Sequence, residues 1–262
     1  MNRRPHPLLI SVVVLIAIFL IAPTILVIIM SFSSLSSLRF PPPDLSLQWY
    51  RNFFESPQWI DALWTSTQVA LLATLTATVL GTLTALGLMR GRFPFKSAVT
   101  ALILSPMIVP IVIVAVGTYL VFVDWRLQGT LLGFVVAHAA LGIPLVVVNV
   151  AASLQTLDRN LEMAAQNLGA GPFRTFFKIT LPLIMPGVIA GALFAFIESW
   201  DEVVVSIFLS SPFVRTLPVV MWSVVRSQID PTIAALAGML TALTIVLLAG
   251  ALLARNLGKR GK

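Results

Sequence analysis

Residues 8–32 contain no charged side chain, and four further stretches, 62–89, 97–122, 129–152 and 232–254, are equally bare. A sixth, 183–209, matches them in length and apolar content but carries Glu198, Asp201 and Glu202. A helix needs about 20 mostly apolar residues to cross the hydrocarbon of a bilayer. Six such stretches predict an all-α membrane protein with six transmembrane helices. The connectors are too short to hold a soluble domain, so the chain reads as a single transmembrane domain, 1–262. Composition agrees, with 58% hydrophobic and 10% charged residues, where soluble domains carry about 25% charged residues. There is no cysteine, which removes disulfides and thiolate metal sites. The first stretch follows "MNRRPHP" like a secretory signal, but its apolar core is longer than the ~7–15 residues of a signal and predicts an uncleaved anchor.

Six crossings put both termini on one side. With the termini inside, that side holds Arg3, Arg4, Arg90, Arg92, Lys96, Arg159, Arg174, Lys178, Arg255, Lys259, Arg260 and Lys262. The other side holds Arg39, Arg51, Arg126, Arg215 and Arg226. Twelve basic residues against five orient the chain with its termini in the cytoplasm. The same asymmetry accounts for the net charge of +7 without a nucleic-acid partner. Trp49, Tyr50, Trp59 and Trp64 in or beside the first outer loop, Trp125 in the second and Trp222 in the third suit the headgroup zone, where an apolar ring keeps its polar edge wet. The first outer loop, "RFPPPDLSLQWYRNFFESPQWI", reads as ordered, with room for a short helix.

The cytoplasmic segment between the fourth and fifth stretches, "LQTLDRNLEMAAQNLGAGPFRTFFKITLP", places Leu157, Leu161, Ala164 or Ala165, and Leu168 at helical spacing on one face. Asp158 suits an N-cap and Gly169 the left-handed position that closes a helix. Pro172 suits the first turn of a second helix, and Pro182 is expected to end it near Thr180. The outcome is a pair of short helices about a "GAG" turn, a shape that either docks into a groove of a soluble partner or lies on the membrane surface.

This segment resembles the EAA loop of binding-protein-dependent ABC importer permeases, whose pattern is E-A-A, three residues, G, then I-x-L-P. Ala164, Ala165, Gly169, Ala170, Ile179, Leu181 and Pro182 match it. Met163 stands at the first letter, and the glutamate falls one residue earlier, at Glu162. The resemblance implies a type I ABC importer permease fold and a coupling helix that docks on a separate ATPase dimer. It implies that ATP and Mg are bound by that dimer, with no cofactor on this chain. The chain has no G-x-x-x-x-G-K-[ST]; "NLGKRGK" near its end lacks the first glycine and the Ser or Thr.

The acids of the fifth stretch pose a different question. With a helix starting near Leu183, Glu198 and Glu202 lie roughly 22 to 29 Å from the cytoplasmic end at ~1.5 Å per residue, in the outer part of the bilayer. Spacings of three and four put Glu198, Asp201 and Glu202 on one face, continued inward by Ala195, Gly191 and Gly187. Small residues there admit a close helix or leave room for a pore. The acids reach outer water, pair with basic residues of the first or third outer loop or of a partner, or line the path of a cationic substrate. His138 is read as a hydrogen-bonded helix contact or a proton relay.

"SWDEVVVSIFLSSP" and the sequence after it resemble the second permease subunit of spermidine/putrescine importers, in which paired acids precede V-V-V-S at this point. Asp201 and Glu202 fill the pair, and Val203, Val204, Val205 and Ser206 the rest. The resemblance implies a substrate path along Glu198, Ser199, Trp200, Asp201 and Glu202, with Trp200 adding a cation–π contact or merely packing. It also implies a second related permease subunit, a periplasmic or extracellular substrate-binding protein, and a place in the inner membrane of a bacterium. Another organic amine, or an opine or aminobutyrate, is the alternative cargo, and an ion-coupled secondary carrier the alternative class. No Ser-His-Asp or His-Glu constellation of an enzyme is evident.

Overall fold

The computed structural model describes residues 7–36, 40–227, 230–242 and 244–245. Among them the regular elements are helices, with one isolated bridge between Ser33 and Leu45. In order these are α1 (Pro7–Ser31), α2 (Gln48–Glu55), α3 (Pro57–Arg90), α4 (Lys96–Leu104), α5 (Ile111–Asp124) and α6 (Leu131–Gln155). There follow α7 (Asn160–Asn167), α8 (Pro172–Thr175), α9 (Leu181–Asp201), α10 (Val204–Leu209), α11 (Leu217–Ser227) and α12 (Thr232–Ala242). The chain divides into two compact units, one running to Ile60 and resuming at Met221, the other spanning Asp61–Val220.

In the first unit α1 is apolar on every side and exposed along most of its length. Such a helix is stable where lipid replaces water. Its end is held by Ser31, whose Oγ donates to the Ile28 carbonyl at 2.6 Å and meets the Tyr50 hydroxyl at 2.7 Å. Tyr50 belongs to α2, the short helix of the first loop. From the same helix Trp49 Nε1 donates to the Ser33 carbonyl and Asn52 Nδ2 to Thr232 Oγ1, both at 2.8 Å. Trp59, beside the same loop, is 3% exposed, with the Phe53 ring 6.2 Å away.

The second unit is built around α6, whose inner residues Val146, Val147 and Val150 pack with Ala77 and Ala85 of α3 and Ile184 and Ala195 of α9. A second cluster joins Phe134, Ala137 and Leu141 of α6 to Ala115 and Phe122 of α5 and Val205 and Leu209 of α10. Leu71, Leu75, Leu83, Leu102, Leu193 and Ile197 face outward. Small residues inside and large ones outside suit a bundle whose helices meet by close packing while its surface meets lipid chains.

Three expectations are corrected here. Residues 97–122 are not one straight span: α4, a 3₁₀ turn over Ser105–Met107 and α5 meet at a bend of 101°. Pro106 and Pro110 have no N–H for the ladder, and each ring crowds the carbonyl four residues back. The 183–209 span is also broken, since α9 ends at Asp201 and Glu202 is extended, with φ −71° and ψ 116°, before α10 begins. Third, Pro182 does not end the second loop helix near Thr180. The helix runs on from Pro172 to Asp201, widening into a π turn over Phe176–Thr180. That turn takes the ladder out of α register just where Pro182 has no N–H to give.

With the bent pair taken as one crossing, up to five spans are long and apolar enough among the described residues. The sixth expected span is helical over Thr232–Ala242, and its remainder lies mostly outside the described residues, as do Arg3, Arg4, Arg39, Arg255, Lys259, Arg260 and Lys262.

Candidate functional site

The break after Asp201 sorts the three acids. Along α9 the face bearing Gly187, Gly191 and Ala195 is buried against α6, which closes the question of a pore on that face. A Cβ on Gly191 would lie 2.8 Å from Val146 Cα, and one on Gly187 would lie 2.7 Å from the Asn149 carbonyl. Only glycine permits that approach. Ser199 continues this buried face, and so does Glu202 beyond the helix end, at 6% and 7% exposure. Glu198 and Asp201 lie on the neighbouring open side. The three carboxylates are thus unequally exposed, Glu202 being buried where Glu198 and Asp201 are open, although all three border one depression.

Glu202 turns back instead and caps α10. Its Oε1 accepts from the Val205 N–H and its Oε2 from the Ser206 N–H, both at 2.9 Å. Beside it His138 of α6 is buried, with Nδ1 2.8 Å from Ser199 Oγ, Nε2 3.1 Å from Ser206 Oγ, and Nε2 3.9 Å from Glu202 Oε2. His138 is thus hydrogen-bonded between helices, as the first of its two readings expects. Trp200 is half-buried and stacked on Phe196, ring centroids 5.7 Å apart. An open depression of about 300 Å³ is lined by Ile197, Glu198, Asp201, Glu202, Val203 and Val204. A neighbouring one of about 480 Å³ is apolar apart from Glu198, with Pro106, Met107, Val109, Leu141 and Leu145 among its walls. Among the described residues no Lys or Arg forms an ion pair with any of the three acids.

At the other end of α9 lies the helical pair. Gly169 closes α7 at φ +84°, and Pro172 opens α8. Asp158 Oδ1 accepts from the Asn160 N–H at 2.9 Å, the start of α7. Met163, Ala164, Gly169 and Pro182 are exposed, whereas Ala165, Ala170, Ile179 and Leu181 are half-buried. Glu162 faces inward: Arg90 Nη2 donates to its Oε1 at 2.5 Å, and so does the Thr180 hydroxyl. Leu161, Leu168, Phe173 and Phe177 present a large apolar surface outward, Leu168 at 89% exposure.

A model of the family described as binding-protein-dependent transport system inner membrane component matches residues 77–259. The chain belongs to that family. It is 36% identical over 247 residues to the putrescine transport system permease protein PotI of Escherichia coli strain K12, covering 90% of this chain and 88% of that one. It is 34% identical over 242 residues to the spermidine/putrescine transport system permease protein PotC of the same strain, covering 91% and 90%. A solved bacterial ABC transporter that imports the acidic polysaccharide alginate has the same fold, with a TM-score of 0.70, 14% identity, and coverage of 98% of this chain and 99% of that one. This is therefore a multi-pass membrane permease subunit of an ABC importer.

Within that family fold, sequence reasoning missed two partnerships, Arg90 with Glu162 and His138 with the serines. Ser206 stood in the quoted motif, but only as a letter of a pattern. Arg90 and Glu162 are 72 residues apart and leave no local signal.

Proposed function

We propose that this chain is one of two transmembrane subunits of an ATP-driven, binding-protein-dependent importer of polyamines in a bacterial inner membrane. One observation carries the cargo class: Glu198 and Asp201 lie together on an open side of a spanning helix, with no Lys or Arg of the described chain paired to them. Acids at membrane depth are costly unless something supplies the opposite charge, and a passing polyammonium ion does so. The relatives named for putrescine and spermidine support the same class.

The remaining assignments follow from this reading. Residues 1–262 act as one permease domain in contact with membrane lipid, with both termini in the cytoplasm. The exposed apolar side chains around Met163, Ala164 and Gly169 dock on an ATPase dimer, which binds ATP and Mg; this chain binds no cofactor and performs no chemistry. The Glu162–Arg90 contact supports this orientation, because it holds the helical pair beside the basic segment of Arg90, Arg92 and Lys96. A second, related permease subunit completes the path, and a periplasmic or extracellular binding protein delivers cargo at the Glu198 and Asp201 end.

The test is ATP-driven uptake of radiolabelled putrescine and spermidine into vesicles holding the assembled complex. Glu198→Gln and Asp201→Asn are expected to lower uptake about tenfold, as loss of one partly screened charge contact would. ATP hydrolysis stimulated by the binding protein should survive. Full uptake in both variants would take the acids off the path. If the wild type moves neither amine, the polyamine assignment falls and the family stands.

A further inference from the structure

We infer that His138 is a positioning residue for the transport path: it pins the break in the fifth span, whose residues Glu202 and Val203 border the same depression as Glu198 and Asp201. The inference rests on the reading of Glu198 and Asp201 as acids of the path. Glu198, Asp201 and Glu202 lie within about one turn and border one depression, where three carboxylates repel. The break frees the Val205 and Ser206 N–H groups, and the Glu202 carboxylate accepts from both while it borders that depression.

No proline or glycine makes the break; the segment from Glu198 to Leu209 contains neither. Something else must hold it, because a helix interrupted inside a membrane leaves backbone groups that would regain their partners by closing up. Glu202 answers two of the freed N–H groups. The second tie is the imidazole. α9 packs on α6 while α10 packs chiefly on α5, and His138 reaches both helices, through Ser199 on one side of the break and Ser206 on the other. A neutral imidazole donates from one nitrogen and accepts at the other, so it joins two hydroxyls without leaving a buried donor unmatched. The ring is 1% exposed and its centroid lies 6.0 Å from that of Phe134 on the same helix.

The experiment uses the reconstituted complex and the absence of cysteine from this chain. Val203 is half-buried beside the depression and lies inside the break. Val203→Cys is labelled with a cationic thiol reagent, alone and combined with His138→Leu or His138→Gln, and putrescine uptake is measured per ATP hydrolysed. His138→Leu is expected to change the labelling rate and lower the uptake ratio about tenfold each, the equivalent of about one hydrogen bond lost from the aligned state. His138→Gln keeps an amide that reaches one serine and should recover part of both. If His138→Leu does not assemble, Ser199→Ala with Ser206→Ala removes the same bonds with less change of volume and should give the same two losses. Labelling and uptake ratio at wild-type values in either variant would overturn the inference, as would a lower melting temperature with unchanged labelling. Normal uptake by Glu198→Gln and Asp201→Asn would instead sink the reading of the acids, and the labelling rate alone would still decide what His138 holds.

Discussion

Glu162 and Glu202 stand at the two ends of α9, each 7% exposed, and each is satisfied by a different kind of partner. Glu162 meets a full positive charge, Arg90 Nη2 at 2.5 Å, and the Thr180 hydroxyl. Glu202 meets two backbone N–H groups at 2.9 Å and a histidine nitrogen at 3.9 Å. The first arrangement ties α7 and the π turn to α3, whose Arg90 is 72 residues from Glu162. The second ties the five consecutive residues from Glu202 to Ser206 and caps the start of α10. A buried carboxylate with a cation joins separate elements; one with N–H groups shapes its own segment. This places an ion pair at the Leu181 end of α9 and a cap at the end bearing Glu198 and Asp201.

The contrast is most strongly tested at Arg90. Arg90→Met leaves the Glu162 carboxylate buried with only a hydroxyl, and loss of one partner of a buried pair costs about 3 kcal/mol. Glu162→Gln is expected to cost only about 1 kcal/mol, because the Arg90 side chain is 31% exposed and turns to water. Thermal unfolding of the purified complex should rank them in that order. Equal losses would mean that Arg90 depends on the contact as much as Glu162 does.

The cap gives a smaller and more local effect. Glu202→Ala strands the Val205 and Ser206 N–H groups and is expected to cost about 2 kcal/mol, whereas Glu202→Gln keeps one carbonyl oxygen and costs about half. Hydrogen exchange reads it directly: the amides of Val205 and Ser206 should exchange about 30-fold faster in Glu202→Ala, the equivalent of those 2 kcal/mol. Unchanged exchange at these two positions would show that the cap is not what holds the start of α10.

The two glutamates also mark the limit of what the sequence discloses. The spans were legible because a bilayer constrains about 20 consecutive residues at once, and that signal is local. The breaks were less so. Pro106 and Pro110 stand at a real bend, yet Pro23, Pro144 and Pro186 lie inside unbroken helices, so proline alone does not announce a break. The break at Glu202 has only the β-branched run of Val203, Val204 and Val205, which weakens helix propensity by a few tenths of a kcal/mol per residue. At the helical pair, spacing marked Leu161 and Leu168 as one apolar face, and both are exposed in this chain. Periodicity finds an apolar face but does not say whether its partner is in the same polypeptide. Glu162 has the converse problem, since its burial depends on an arginine from another helix.

Salt separates the two carboxylates by the smallest effect. Raising ionic strength from 0.1 to 1 M shortens the screening length from about 10 to about 3 Å. Arg90 is open enough to solvent for its attraction to Glu162 to weaken, by an expected few tenths of a kcal/mol. The Glu202 cap is made of short bonds to buried N–H groups, where ions do not reach, and should not respond. A double-mutant cycle of Arg90→Met with Glu162→Gln, run at both salt concentrations, isolates the first term. Exchange at Val205 and Ser206 at the same two concentrations isolates the second. A coupling energy that ignores salt would mean that the Arg90–Glu162 pair is closed to water in the assembled importer, as a docked ATPase covering the exposed surface around Met163 would make it. The measurement therefore belongs on the permease both with and without the ATPase, and a salt response that disappears on ATPase binding would place the docking face over α7.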